Sequence, residues 1–100
     1  MGEATLVVED STLRLSGPVT MNTVSALAAQ GLEILARIPA VVTLDLARVT
    51  RVDSVGVAML VAFWRLRENG GGRLTFVSMP AELRPLLELY GLENLFDAQD

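Results

Sequence analysis

The sequence contains no cysteine, histidine or lysine, and these absences limit the chemistry that the chain can perform. Without cysteine there can be neither a disulfide nor a thiolate nucleophile. Without histidine or lysine, a serine or threonine nucleophile has no conventional base. A metal site would need oxygen ligands alone, and no acidic cluster has the spacing of a calcium-binding loop. We therefore expect a protein that is not an enzyme and that uses no metal and no cofactor.

Other familiar signals are missing as well. Gly70-Gly71-Gly72 lacks the lysine and the serine or threonine of a phosphate-binding loop, and it precedes a predicted strand, so it is interpreted as a turn. The formal net charge of −4 argues against binding to nucleic acid. No apolar run approaches the roughly 20 residues that span a bilayer, and no basic segment precedes an apolar one at the N-terminus. We therefore expect a cytoplasmic protein without direct membrane insertion.

The order of hydrophobic patterns predicts one α/β domain over residues 1–100. Hydrophobic residues make up 51% of the chain, and alternating or helical spacing gives the order β-β-α-β-α-β-α, which indicates a layered α/β fold with some parallel pairing. The predicted elements are strands at 5–9 and 12–16, a helix at 20–37, a strand at 41–46, a helix at 54–68, a strand at 73–78 and a helical stretch at 80–90.

Several local signals set these boundaries. Asp10-Ser11 predicts a hairpin turn, and Gly17-Pro18 is expected to end the second strand. Thr20 is the expected N-cap of the first helix. Its predicted buried face comprises Met21, Val24, Ala28, Leu32 and Leu35.

Later in the chain, Val41–Leu46 is apolar on both faces, which is typical of a central strand that is covered on each side. Pro85 predicts either a kink in the last helix or a helix that begins there. An apolar tail of Leu92, Leu95 and Phe96 follows.

The most informative stretch begins at Asp53 and continues to Trp64. Asp53 and Ser54 both suit a helix N-cap, because their side-chain oxygens can accept hydrogen bonds from the free N–H groups of the first turn. Gly56 would let a backbone or a partner approach closely. Ten residues without a polar side chain follow, from Val55 to Trp64. If the chain has a working surface, we expect it where this helix begins.

Apolar side chains of the second helix itself cover most of its circumference. At 100° per residue, one arc carries Val57, Leu60, Val61 and Trp64, and the opposite side carries Met59, Ala62, Phe63 and Leu66. One arc must pack on the sheet. Either neighbouring helices cover the other arc, or part of it, with Phe63 or Trp64 as anchor, contacts another protein.

Residues 44–96 resemble the second half of a STAS domain, the fold of bacterial anti-sigma factor antagonists, and the first half is similar as well. Family members read D-L-x-x-V-x-x-[ILV]-D-[ST]-x-G-[LV] before an apolar helix. The matching residues are Asp45, Leu46, Val49, Val52, Asp53, Ser54, Gly56 and Val57. The resemblance implies a small mixed sheet of four or slightly more strands with helices packed on one face.

One position departs from the members that switch by phosphorylation, which carry serine or threonine directly before the glycine. Here that residue is Val55, so Ser54 is the only possible phosphoacceptor in the motif. This pattern is similar to the STAS subunit of Mla-type ABC transporters, which move phospholipid at the inner membrane. The resemblance implies a regulatory subunit that docks on the ATPase subunit and lies at the inner face of that membrane through its partner.

The alternative is an antagonist that binds a serine kinase of the anti-sigma type and is regulated by phosphorylation. Both alternatives place the partner on the motif and the second helix. The expected contact residues are Asp53, Ser54, Val55, Gly56, Met59 and Phe63.

Overall fold

The computed structural model describes residues 3–91 and confirms the predicted α/β class. Four strands form one mixed sheet in which their order follows the chain; the first two strands are antiparallel, and the other two neighbouring pairs are parallel. Three helices complete the fold; the first contacts the first strand, and the second contacts the third strand and both other helices. The elements are β1 (Thr5–Glu9), β2 (Thr12–Val19), α1 (Val24–Arg37), β3 (Thr43–Val52), α2 (Ser54–Asn69), β4 (Thr75–Val77) and α3 (Leu83–Leu89).

The β1–β2 hairpin turns at Asp10-Ser11, as predicted, with Asp10 at a positive φ of 54° that aspartate tolerates. The prediction that Gly17-Pro18 ends β2 was wrong, since the strand continues to Val19. Gly17 has a φ of 87°, and a Cβ there would overlap the carbonyl oxygen of Glu3. Glycine therefore carries the strand past a close backbone approach instead of ending it.

The first helix begins later than predicted. Residues Thr20 to Thr23 form a turn, in which the Thr23 hydroxyl donates to the Pro18 carbonyl at 2.8 Å and accepts from the Thr20 N–H at 3.0 Å. Thr20 is therefore not the N-cap, and α1 starts at Val24.

The predicted buried face of α1 was also wrong in part. The buried residues are Leu27, Gly31 and Leu35, whereas Met21 is 70% exposed. A Cβ at Gly31 would overlap the Phe63 ring on α2. The glycine lets the two helices approach closely, and this contact sets the rotation of α1 about its axis.

The third strand is longer than predicted because it contains two register shifts against β2. Arg14 pairs with Asp45 but Ser16 pairs with Arg48, and Gly17 pairs with Val49 but Pro18 with Arg51, so β3 gains one extra residue at each irregularity. The buried residues therefore follow an uneven spacing, at Leu44, Leu46, Val49 and Val52. The other face of β3 is half-buried or exposed, so the strand is not covered on both sides as predicted.

The remaining boundaries are close to the predictions. Helix α2 starts at Ser54 as predicted and ends one residue later than expected. Strand β4 is shorter than residues 73–78, but Leu74 and Phe76 are both fully buried. Pro85 is the third residue of α3, a position at which a backbone N–H would have no acceptor within the helix, so the proline is tolerated and the helix begins two residues before it. The tail of Leu92, Leu95 and Phe96 lies outside the described residues.

Candidate functional site

Asp53 is the N-cap of α2 and joins the first turn of this helix to the turn between β2 and α1. Its Oδ1 accepts from the backbone N–H of Gly56 at 2.9 Å, and its Oδ2 accepts from that of Met21 at 3.0 Å. The first bond satisfies one of the free N–H groups of the helix. The second fixes the turn between β2 and α1 beside the start of α2. The half-buried carboxylate therefore holds the turn before α1 against the first turn of α2, and the residues that follow it, Ser54 and Val55, are exposed.

The same contacts keep Asp53 ionised. Partial burial raises the pKa of the Asp53 carboxyl, but the backbone hydrogen bonds, chiefly those from Gly56 and Met21, stabilise the charged form. The balance holds the pKa below its ordinary value. A fixed negative charge therefore lies at the N-terminal end of α2, where the helix dipole favours it.

Gly56 is buried and permits a close contact inside the protein. A Cβ on this residue would overlap the carbonyl oxygen of Val19, which also accepts the N–H of Asp53 at 3.3 Å. The expectation that Gly56 permits close approach is therefore correct for a backbone, whereas the buried residue presents no surface to a partner. Its role is to seat the first turn of α2 on the end of β2.

Ser54 and Val55 point outward from this turn. Both are exposed, with Val55 at 42% of its full area. Since Asp53 provides the cap, Ser54 is not needed for that role and its hydroxyl faces outward. These two predicted contact residues lie where a partner could reach them.

Met59 and Phe63, by contrast, cannot serve as exposed contacts. Met59 is 3% exposed and Phe63 is fully buried, with its ring against Gly31 of α1. In the described structure these two predicted contact residues therefore offer no surface to a partner. The neighbouring helix α1 covers Phe63, whereas Ala62 and Leu66 of the same predicted arc are exposed and Trp64 is half-buried.

The exposed strip of α2 consists mainly of small residues. Ser54, Ala58 and Ala62 are exposed at intervals of four residues, and Arg65 continues the line. With Val57, Val61 and Tyr90 they line an open depression of about 480 Å³, which we call the α2 groove. Its apolar lining and its start at the motif make it the best candidate for a docking site.

The far side of the groove depends on the placement of α3. Glu82, at the N-cap position of α3, accepts from the backbone N–H of Val52 at 3.1 Å. This bond joins α3 to the end of β3, next to Asp53, and α3 also contacts α2. Tyr90 follows α3 and is half exposed. The position of Tyr90 is thus tied to the same strand end that positions the motif.

Sequence reasoning missed the floor of the groove and one neighbouring residue. Met21, predicted to be buried, is largely exposed and donates its N–H to Asp53. Ala58 and Ala62 gave no hydrophobic signal because they are small. The signal that could have revealed them is their spacing, since Ser54, Ala58 and Ala62 fall on one face of a helix that is otherwise lined with bulky residues.

Residues 3–91 contain neither a metal-binding cluster nor a membrane-spanning helix. No group of three or more acidic side chains is placed to hold a metal ion. In the same residues, none of the helices has the length and apolarity needed to cross a bilayer.

The family of this chain follows from a sequence match over almost its whole length. Residues 4–97 match the family model described as "Mlab, STAS domain". The chain belongs to this STAS family. The motif at residues 45–57 is therefore a STAS motif, and the coarse functional class is that of a STAS regulatory protein. No curated protein matches the chain.

Solved structures show the same fold. A putative anti-sigma factor antagonist from Thermotoga maritima is 17% identical, with a TM-score of 0.81 over 97% of this chain and 86% of that one. An anti-sigma factor antagonist from Mycobacterium paratuberculosis is 24% identical, with a TM-score of 0.78 over 97% and 84%. The Bacillus cell fate determinant SpoIIAA in its phosphorylated form is 21% identical, with a TM-score of 0.68 over 96% and 90%. At these identities the likeness concerns the fold of the STAS domain.

Proposed function

We propose that this STAS domain is a non-catalytic regulatory and assembly subunit that binds the ATPase subunit of a phospholipid-transporting ABC complex. The observation that carries the proposal is the exposed Val55 directly before Gly56. Members that switch by phosphorylation have a hydroxyl residue there, whereas valine cannot be phosphorylated and offers apolar contact area. The family description, which names Mlab, supports the same choice.

The proposed contact surface is the docking face, which we define as Met21, Ser54, Val55, Ala58 and Ala62. All five residues are exposed; Met21 lies beside the start of α2, and the other four lie on the first nine residues of the helix. Asp53 and Gly56 belong to the site as the residues that hold this face in shape through the bonds to Met21 and the contact with Val19. Binding of the ATPase subunit to this face would place the STAS domain in the cytoplasm, at the inner face of the inner membrane.

The test is co-purification with the ATPase subunit of the phospholipid ABC transporter encoded in the same genome. We expect the two proteins to elute together, and we expect Ala62→Arg to abolish this because a long charged side chain would project from the docking face. Ala29→Arg is the matched control, since Ala29 is exposed on α1, away from the groove. Equal binding by both variants, or no binding by the unmodified chain, would contradict the proposal.

The alternative function is that of an anti-sigma factor antagonist, and the observation that favours it is the exposed hydroxyl of Ser54. This residue lies in the first turn of α2, where free N–H groups and the helix dipole would stabilise a phosphate. A similar fold, that of SpoIIAA, has been solved in a phosphorylated form. In this function the partner is a serine kinase, and the chain exists in two states that differ by one phosphoryl group.

Intact-mass measurement of the protein from its native host distinguishes the two functions. We expect one unmodified species under all growth conditions. A substantial phosphorylated species that maps to Ser54 and changes with growth conditions would favour the antagonist instead.

A further inference from the structure

The α2 groove has one charged residue among the described residues that line it, and that residue is Arg65. Arg65 is exposed and forms no ion pair with any residue from 3 to 91. Arg14 has acidic partners in Glu9 and Asp45, whereas Arg48 lacks an ion pair within residues 3–91 as Arg65 does, but lies outside the groove. A lone cation at the end of an apolar groove favours a partner that carries a negative charge at the matching place.

The floor of the groove favours a helix as the partner segment. Ser54, Ala58 and Ala62 follow one line along α2, and such small side chains leave space for a second helix at the 8–10 Å axial separation that is usual for packed helices. The line from Ser54 to Arg65 spans about 16 Å at 1.5 Å per residue, which is three turns of a partner helix.

A strand or an extended peptide is a poorer match to this groove. The backbone groups of α2 are used within the helix, so the groove offers no free row of N–H and C=O groups with which a strand could pair. A helix satisfies its own backbone and needs only a complementary face. A nucleic acid or an anionic lipid surface would demand several cations, and the groove has one.

From the groove and its single cation we infer that the ATPase subunit inserts one amphipathic helix of about three turns into the α2 groove, with small or apolar side chains against Ala58 and Ala62 and a carboxylate against Arg65. This inference rests on the proposed function and adds the chemistry of the partner segment. The Arg65 pair fixes the register of the helix along the groove, because a shift by one turn would move the carboxylate away from the guanidinium.

The first experiment measures the affinity of the purified chain for the purified ATPase subunit at several salt concentrations. We expect Arg65→Glu to weaken binding about tenfold or more, because like charges would face each other. Arg65→Lys should retain binding to within a few fold, and Arg48→Glu is the control, as Arg48 is an exposed arginine on β3 outside the groove. Asp and Glu residues on the ATPase helices are then changed to Arg one by one, and one of them should restore binding to Arg65→Glu.

The second experiment uses the absence of cysteine in the chain. Ala58→Cys and Ala62→Cys each give a single site for a photoreactive maleimide, and the cross-linked positions on the ATPase subunit are mapped by mass spectrometry. We expect positions three or four residues apart on one face of one helix, next to the acidic residue found above.

The outcomes separate the two proposals. If the unmodified chain does not bind the ATPase subunit, the proposed function fails and this inference fails with it. If the chain binds but Arg65→Glu binds equally well, or if the cross-links map to an extended segment, the proposed function stands and the helix with its carboxylate is wrong.

Discussion

At the scale of single residues, Asp53 and Gly56 hold the backbone of the proposed docking face in position, whereas Ser54 and Val55 form part of its surface. Asp53 holds Gly56 and Met21 through two backbone hydrogen bonds. Because Gly56 has no side chain, the first turn of α2 can lie directly against the carbonyl oxygen of Val19. The sequence motif therefore combines residues with two different physical roles, and substitutions at its positions should separate into loss of folding stability and loss of binding.

The lowered pKa of Asp53 leads to a pH-dependent prediction. Because the folded pKa lies below the ordinary value of about 3.9, the carboxylate contributes stability that is present above that value and is lost as the pH falls through the folded pKa. Asn is an equally good N-cap without the charge. We expect the unmodified chain to be more stable than Asp53→Asn near neutral pH, and the gap to shrink as the solution is acidified to about pH 3. Urea unfolding at both pH values measures the difference in the free energy of unfolding between the two proteins. A difference that does not change with pH would contradict the role of the charge.

Gly56 and Ser54 give a matched pair of alanine substitutions. Gly56→Ala should lower the free energy of unfolding by about 1–3 kcal/mol, because its Cβ would overlap the Val19 carbonyl and the helix would have to shift. Ser54→Ala should change it by less than about 0.5 kcal/mol, because Asp53 provides the cap and Ser54 is exposed. Urea unfolding of both variants checks the difference. Equal stabilities would mean that the close approach is not needed.

At the scale of the elements, the contact of α1 with α2 decides which side of α2 remains free. Phe63 packs against Gly31, and this close approach buries the Phe63 side chain. The exposed residues of α2 that line the groove are Ser54, Ala58, Ala62 and Arg65. The position of the groove is thus a consequence of one glycine on the neighbouring helix.

A double-mutant cycle tests this contact. Gly31→Ala should destabilise the fold by about 1–3 kcal/mol although alanine favours helices, because the new methyl group would overlap the Phe63 ring. Phe63→Leu removes the ring atoms that meet it. We therefore expect the double variant to be more stable than the sum of the single effects by at least about 0.5 kcal/mol. Additive effects in urea unfolding would show that the two residues are not in energetic contact.

Some elements could be predicted from the sequence because their signals are local. Helix α2 has a cap at Asp53 and a glycine run after Asn69, so both ends were predicted to within one residue. The extent of β3 was missed, because two register shifts change the spacing of its buried residues from two to three. The rotation of α1 was missed because Gly31 carries no hydrophobic signal although it lies at the centre of the buried face.

The candidate site was predicted in part for the same physical reasons. Asp53, Ser54, Val55 and Gly56 follow from a motif that is continuous in sequence. Whether Met59 or Ala62 faces outward depends on where α1 lies, and that contact is not readable from α2 alone. Ala58 and Ala62 in the groove are small and exposed, whereas the bulkier Met59 and Phe63 are buried, so hydrophobic periodicity favoured the wrong residues of the helix as contacts.

At the scale of the whole molecule, we expect binding without catalysis. The chain has no histidine, cysteine or lysine, and no metal-binding acidic cluster is present in residues 3–91. We expect the purified chain to release no phosphate from ATP, measured after contaminating ATPases have been removed by repeated chromatography. Hydrolysis that follows the chain through every step would contradict a purely regulatory role.

The most direct test of docking on the α2 groove is nuclear magnetic resonance of the chain with labelled alanine methyl groups. Ala58 and Ala62 lie in the groove, whereas Ala26 and Ala29 are exposed on α1, so one sample contains both the site and its controls. On addition of the ATPase subunit, we expect the methyl signals of Ala58 and Ala62 to shift or broaden and those of Ala26 and Ala29 to stay in place. Unchanged signals from Ala58 and Ala62 together with shifted signals from α1 would contradict docking on this groove.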